Sequence, residues 1–393
     1  MTKPGKMYLY YQSQPILPTI ANFKSTKSLN HYEKQRKDLI TEKLHIPIQF
    51  FQGKEILEFG PDSGENALIF AKWGAKLHLV EPNNQGIETT KNNFDHFKFT
   101  HAIQSITQAD IDGYTNDKQF DFIVAEGFVH SIKPDKNWLS KLSTLLSPSG
   151  LVLISYTNTY GAFMELLYSL IAKFIKNQSN STSEYNSRLK ALFKKKWHSI
   201  KHTRSFESWQ MDVIDSPYNS HLHYTINPEK LLKTAHQYGF TLHSSWPNYK
   251  NKNDIYWHKN LKTEKEKLAL AIEQIQKDQL SFFLGEQTNY ALDHKKLNTE
   301  LLALLKIMSA WKKDLSSEKA KESLKAVQKV LALFKKGKID KKNQAKIMCI
   351  QSVFQFIHND ELGKLILFCN TNKTFIHHWG MPTHIVVFRR TDK

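Results

Sequence analysis

Apolar and polar positions along the first 160 residues come in blocks that predict strands and helices in turn. Ile56-Leu57-Glu58-Phe59 is a short apolar run, and Leu77-His78-Leu79-Val80 is a second. Asn66–Ala71 between them has helical spacing, so Lys54–Glu81 reads as strand, helix, strand. Gly60-Pro61-Asp62-Ser63-Gly64 has the composition of a sharp turn. Phe120–Ala125 is another apolar strand, and Trp138–Leu146 puts positions 138, 139, 142, 145 and 146 on one helical face. Ser147-Pro148-Ser149-Gly150 reads as a turn before a buried strand, Leu151–Ser155. Residues 30–44 form a polar amphipathic leading helix. Residues 162–175 form an amphipathic helix, 177–187 a polar linker, 188–200 a basic helix, and 226–238 a helix opened by Asn227-Pro228. Phe240–Ser245 is a further strand.

Residues 261–357 change character. They are rich in Lys, Glu, Leu, Ala and Gln, and predict helices at 262–280, 294–314, 317–335 and 341–358, with no fixed-length repeat. Thr383–Arg390 returns to strand character. It is either the last strand of the main sheet, with the helices inserted before it, or a separate small hairpin.

Strands joined through helices run parallel, which places the glycine loop and the acids Glu58 and Glu81 at the carboxyl edge where open α/β sheets bind ligands. The loop is E-x-G-x-x-x-G. It is neither the G-x-G-x-x-G dinucleotide turn nor a phosphate-binding P-loop. Glycines at 60 and 64 let backbone approach a ligand. Glu58 is a poor neighbour for a pyrophosphate and suits a cationic amino group. Glu81 can accept from both hydroxyls of a ribose. A ribose plus an ammonium without phosphate describes S-adenosylmethionine.

On these residues the stretch resembles motif I and the following acidic position of class I S-adenosylmethionine-dependent methyltransferases. The FD-strand at Phe120-Asp121, the helix, the Leu-Leu-x-Pro-x-Gly turn and the strand at 151–155 are similar to the second half of that core. The resemblance covers about residues 50–157. It implies an α/β fold with a Rossmann-like class I methyltransferase sheet, mostly parallel and of about seven strands, with an added helical region. The expected division is a lead-in over 1–50, a methyltransferase core over 51–260 with acceptor-side helices at 160–238, a helical region over 261–370, and a terminal strand over 371–393. A looser set of motifs is similar to a bacterial subgroup linked to small-metabolite or surface-saccharide methylation. These are Leu57–Leu68, Glu165-Leu166, Trp209 to Asp212, Ser244-Ser245-Trp246-Pro247 and Trp257 to Lys259.

The resemblance implies cofactor contacts from Glu58, Gly60, Gly64, Glu81 and Glu126, and adenine contacts from Ser105 and Ile106, with Asp110 as the competitor. His130, after the fourth strand, is either the catalytic base or a packing histidine. Tyr156, Tyr160, Glu165, Trp209 and Asp212 are the candidate acceptor-binding residues, Trp209 being equally a core anchor. Tyr32 and the Tyr8–Tyr11 cluster either cover the cofactor or pack. The expected acceptor is a small molecule or saccharide, methylated at oxygen. The alternatives are a protein or RNA acceptor docked on the basic helices, and a non-catalytic S-adenosylmethionine-binding protein.

The formal charge of +18 permits nucleic acid, an anionic membrane face or an anionic substrate. No zinc-ligand spacing, helix-turn-helix or RNP-type strand supports nucleic acid, which remains the minority reading. Two cysteines without metal-like spacing suggest a reducing cytoplasm and no metal. No segment reads as a signal core or a membrane span.

Overall fold

The computed structural model describes residues 6–15, 17, 23, 25–200, 204–250, 262–288 and 293–391. The chain runs α1 (Lys6–Gln12), α2 (Thr26–Lys37), β1 (Glu55–Phe59), α3 (Glu65–Lys72), β2 (Lys76–Val80), α4 (Asn84–His96), β3 (Ile103–Thr107), β4 (Phe120–Ala125), α5 (Asp135–Leu145) and β5 (Leu146–Thr157). It continues through α6 (Phe163–Asn177), α7 (Thr182–His198), α8 (Phe206–Trp209), α9 (Pro228–Gln237) and β6 (Phe240–Trp246). The remainder is α10 (Glu264–Leu284), α11 (His294–Lys313), α12 (Ser317–Lys336), α13 (Lys341–His358), α14 (Leu362–Thr371), α15 (Lys373–His377) and β7 (Thr383–Arg390). Two compact units result, one of residues 1–156, 228–274 and 384–393, the other of 157–227 and 275–383.

The first unit is built on a seven-stranded sheet of order β3-β2-β1-β4-β5-β7-β6. β1 pairs parallel with β2 and with β4, β2 with β3, and β4 with β5, while β7 is antiparallel to β6. The terminal strand therefore lies inside the sheet, between β5 and β6, and its continuous run of buried residues from His384 to Phe388 fits that place. The order reverses between β1 and β4, the switch point where such sheets open a crevice. Register makes that crevice a site: Phe59 lies opposite both Val80 and Ala125, so Gly60, Glu81 and Glu126 leave three adjacent strands at one level. Ile56, Leu57 and Phe59 are fully buried, each contributing about 1.5–3 kcal/mol of transfer free energy. Behind them Phe51, Phe70, Trp73 and Phe122 pack edge-on or tilted at 5.1–5.9 Å.

Two local expectations need correction. Ser147–Gly150 is not a turn outside the sheet but an irregular opening of β5, where the β4 partner jumps from Leu146 to Leu151 and Ser149 takes φ +59°. Residues 182–187 are not linker. Ser181 accepts from the Glu184 backbone N–H and starts α7 there, a serine N-cap inside a polar run. The segment Trp257 to Lys259 lies outside the described residues.

The second unit is helical and has its own core. α6 is buried around nearly its whole circumference, from Phe163 and Met164 to Phe174 and Ile175, and forms one apolar cluster with α11, α12 and α13. The four predicted helices appear as α10 to α13; α14 and α15 follow them. Lys196 is buried here with its Nζ donating to Phe375 O at 2.7 Å and His378 O at 2.6 Å, 4.5 Å from the Trp379 ring centroid. Among the described residues no helix is long and apolar enough to cross a membrane.

Phe388 in β7 is buried against Phe240 at 5.9 Å. Phe388→Ala should cost about 3–5 kcal/mol by denaturant unfolding. Ending the chain at residue 382 should give insoluble protein, because an inner strand is lost. A soluble truncation with unchanged far-UV dichroism would show that the sheet does not need β7.

Candidate functional site

The carboxyl ends of β1, β2 and β4 carry Glu58, Glu81 and Glu126 together with the glycine loop. Gly60 and Gly64 have φ +65° and +80°. A Cβ on Gly60 would lie 3.1 Å from the Phe128 ring, and one on Gly64 2.9 Å from Thr90 Cγ2. Both positions therefore favour glycine on backbone conformation, and Gly64 on space as well.

Beneath the loop lies a buried network of mixed charge. Arg36, from α2, grips the Glu126 carboxylate with both terminal nitrogens, one at 2.9 Å. Tyr32 donates to Asn66 Oδ1 at 2.8 Å, and Asn66 Nδ2 reaches Glu126 at 3.4 Å. Glu58 is buried beside them. Its Oε2 has no hydrogen-bond partner, and neither has Nε of Arg36. Burial first, then the nearby Glu126, pushes the Glu58 carboxyl up to about 8. Glu81 accepts from the Asp62 backbone N–H at 3.0 Å and from Asn83 N–H at 2.8 Å, while burial pushes it up to about 7.

The other expected cofactor residues separate. Ser105 is tied to His78 Nδ1 at 2.9 Å, and that ring reaches Glu55 at 2.9 Å, at the start of β1 rather than its end. Ile106 packs into the apolar layer of the sheet. Asp110 follows the end of β3 instead and bears electrostatically on Tyr8 of α1, as Glu81 does. α1 is tied to the same edge by Gln12 Nε2, which donates to Pro82 O at 2.9 Å. Arg36 was not among the expected residues.

His130 is buried in the short 3-10 turn Val129–Ser131 that follows β4, two residues beyond the Phe128 that covers Gly60. Tyr156, at the end of β5, is buried with its hydroxyl 2.7 Å from that of Tyr249, which in turn bonds His384 Nδ1. Tyr160, Glu165, Trp209 and Asp212 belong to the helical unit. There Asp212 pairs with Arg204 at 2.7 Å, and burial, then Asp212, pushes Glu165 up to about 7. Trp209 sits among Tyr168, Phe193, Phe206 and Trp379 at 5.6–6.2 Å, as a core anchor does.

A family model described as a methyltransferase domain matches residues 31–245, more than half of the chain. The chain belongs to this methyltransferase family. Its sheet is the Rossmann-like class I methyltransferase sheet, and its cofactor is S-adenosylmethionine. No curated protein matches the chain. Solved structures match part of it. PKMT2 from Rickettsia typhi, in complex with AdoHcy, is 16% identical over 72% of this chain and 69% of that one, with a TM-score of 0.41. The CcbJ methyltransferase from Streptomyces caelestis is 16% identical over 28% of this chain, with a TM-score of 0.26. TehB from Haemophilus influenzae is 15% identical over 35%, with a TM-score of 0.27. The chain spans 45% of the length of CcbJ and 43% of TehB.

The network can be tested against that cofactor. One orphaned carboxylate oxygen and one orphaned guanidinium N–H, both buried and close enough to feel each other's charge, suit a ligand end carrying an ammonium and a carboxylate. The surrounding excess of acids suits a sulfonium. The residues fit the group.

The same network predicts a pH effect. The unfolded chain ionises Glu58 above its ordinary 4.5, whereas the folded chain holds the proton to about 8. This group therefore favours the native state below 4.5 and loses that contribution as pH rises to 8. Between pH 6.5 and 8 the ligand-free wild type should lose more thermal stability than Glu58→Gln, measured by calorimetry. Parallel curves for the two proteins would place the Glu58 proton elsewhere.

Proposed function

We propose that the chain transfers a methyl group from S-adenosylmethionine to an oxygen of a small-molecule or saccharide acceptor. The observation that carries the cofactor half is the buried Glu58 carboxyl beside the glycine loop, whose Oε2 has no hydrogen-bond partner. In this reading Glu58 takes the cofactor's ammonium, and Arg36, steered by Glu126, takes its carboxylate. Gly60 and Gly64 give it room, and Glu81 accepts from the ribose hydroxyls. Asp110, at the end of β3, replaces Ser105 and Ile106 at the adenine. S-adenosylmethionine supplies an electrophilic methyl group. The chain's own task is to hold the acceptor in line, keep water out and accept a proton. Positioning of this kind supplies on the order of 7–11 kcal/mol in favourable intramolecular cases.

A base is useful for a sugar or alcohol hydroxyl and optional for an acceptor of low pKa. His130 is the proposed one, on its place after β4 behind Phe128. The acceptor's oxygen identity rests on the sequence resemblance. Tyr156, Tyr160, Glu165 and Asp212 are proposed to serve the acceptor, and Trp209 to support them by packing. The helical unit holds 27 Lys and Arg against 15 Asp and Glu, which favours an RNA or protein acceptor as the second reading.

Calorimetry should show S-adenosylmethionine and its demethylated product binding, and NAD not binding. Arg36→Ala should weaken both by about tenfold or more, the loss of one charge-assisted contact. No heat with either ligand would refute the assignment. Incubating the enzyme with labelled cofactor and fractionated cell extract should put label into metabolites or glycan, whereas label in RNA or protein supports the second reading. On the acceptor so found, His130→Ala should lower kcat with cofactor affinity unchanged. An unchanged kcat would make His130 a packing residue.

A further inference from the structure

A second concavity, confined to the helical unit, has a chemistry that methyl transfer does not use. The last turns of α7 face α14 and α15 across an open cleft of about 450 Å³. Lys194, Lys195 and His198 line it from α7, Asn370 from α14 and His377 from α15, and none of its lining residues is acidic. The other cations of α7 are engaged. Arg188 pairs with Glu184 at 2.6 Å, Lys190 pairs with Glu207 at 2.8 Å, and Lys196 is buried on backbone carbonyls. Lys194 and Lys195 are exposed and have no ion-pair partner among the described residues.

The walls are fixed by side-chain bonds that cross from one helix to the next. Asn370 Nδ2 donates to Ala191 O at 2.8 Å, and the Ser199 hydroxyl lies 2.6 Å from Lys196 O and 3.1 Å from Ile376 O, sharing its one proton between them. The Trp379 indole donates to the same Ser199 Oγ at 2.9 Å. The cations are thus presented by a braced frame, not by a loop. Part of this charge answers the carbonyl ends of α7 and α15, where cations are favourable. Lys196 already meets the carbonyls of α15, however, which leaves two lysines and two histidines converging on one opening without a counter-charge.

We propose that this cleft is a binding site for a phosphate-bearing ligand. A phosphate carries up to two negative charges and three acceptor oxygens, so it can engage several of these donors at once, where a carboxylate would engage fewer. Lysine ammonium groups serve phosphates as point charges and need no bidentate geometry. No phenyl, phenol or indole ring lines the opening, so it offers no face on which a nucleobase would stack. The size suits a phosphate with a small attached group, either free in solution or as a lipid headgroup.

The test is titration of the full-length protein with pyrophosphate at low salt and pH 6.5, read by calorimetry. Saturable binding with a Kd below about 1 mM is expected. Lys194→Ala/Lys195→Ala should weaken it by about tenfold, while the charge-matched Lys335→Ala/Lys336→Ala on α12 should stay within about twofold. Vesicles of phosphatidylcholine with and without phosphatidate separate the sources. Phosphatidate-dependent binding that pyrophosphate displaces makes the ligand a headgroup, and pyrophosphate binding alone makes it a soluble phosphate. Absence of saturable heat overturns the proposal. So does equal weakening by both lysine pairs, or binding of RNA that is tighter than pyrophosphate and insensitive to Lys194 and Lys195.

Discussion

The buried pairing of Arg36 with Glu126 is the interaction that organises the carboxyl edge of the sheet, where we place the cofactor. Glu126 leaves β4 beside Glu58 of β1, and two carboxylates this close to a low-dielectric interior repel. Arg36 pairs with Glu126, while Glu58, pushed up first by burial and then by Glu126 against the opposing charge of Arg36, keeps its proton to about 8. Breaking a buried pair of this kind by removing one partner costs about 3–5 kcal/mol, because the survivor remains unpaired. The pair also fastens α2 to the sheet, with help from Glu33, which accepts from Lys72 and, at 3.0 Å, from the Trp73 indole. A helix that looks peripheral in the chain is in this way part of the site.

Parallel register does the rest of the positioning. Since Val80 and Ala125 both lie opposite Phe59, the next residue of each strand emerges at the same height. Two glycines with left-handed backbone then turn the chain away without filling the space. The helical unit follows a different logic. Its core closes around α6 and around a lysine whose ammonium replaces water with backbone carbonyls and aromatic faces.

Much of this was legible in the chain. Short apolar runs marked β1, β2, β4 and β7, and the acids Glu58 and Glu81 stood out because each directly follows apolar residues. Arg36 was missed because it lies in a run of Lys, Glu and Gln that reads as a solvated face. The signal was nonetheless present: Leu29, Tyr32, Arg36 and Ile40 fall on one stripe at helical spacing, and Leu29, Arg36 and Ile40 are all buried. The choice between Ser105 and Asp110 stays open in the sequence, which does not reveal the end of β3. Its last residue, Thr107, is followed by a polar stretch with no glycine or proline to mark the edge. α14 and α15 carry short apolar runs whose period is too brief to separate helix from strand.

The central claim is that a neutral Glu58 gives up its proton to receive the cofactor's ammonium. Calorimetry of S-adenosylmethionine binding at pH 7, repeated in buffers of different ionisation enthalpy, counts the protons released. The account predicts release of roughly one proton per site in the wild type and clearly less in Glu58→Gln. Binding with no proton release, or with equal release in both proteins, would contradict it.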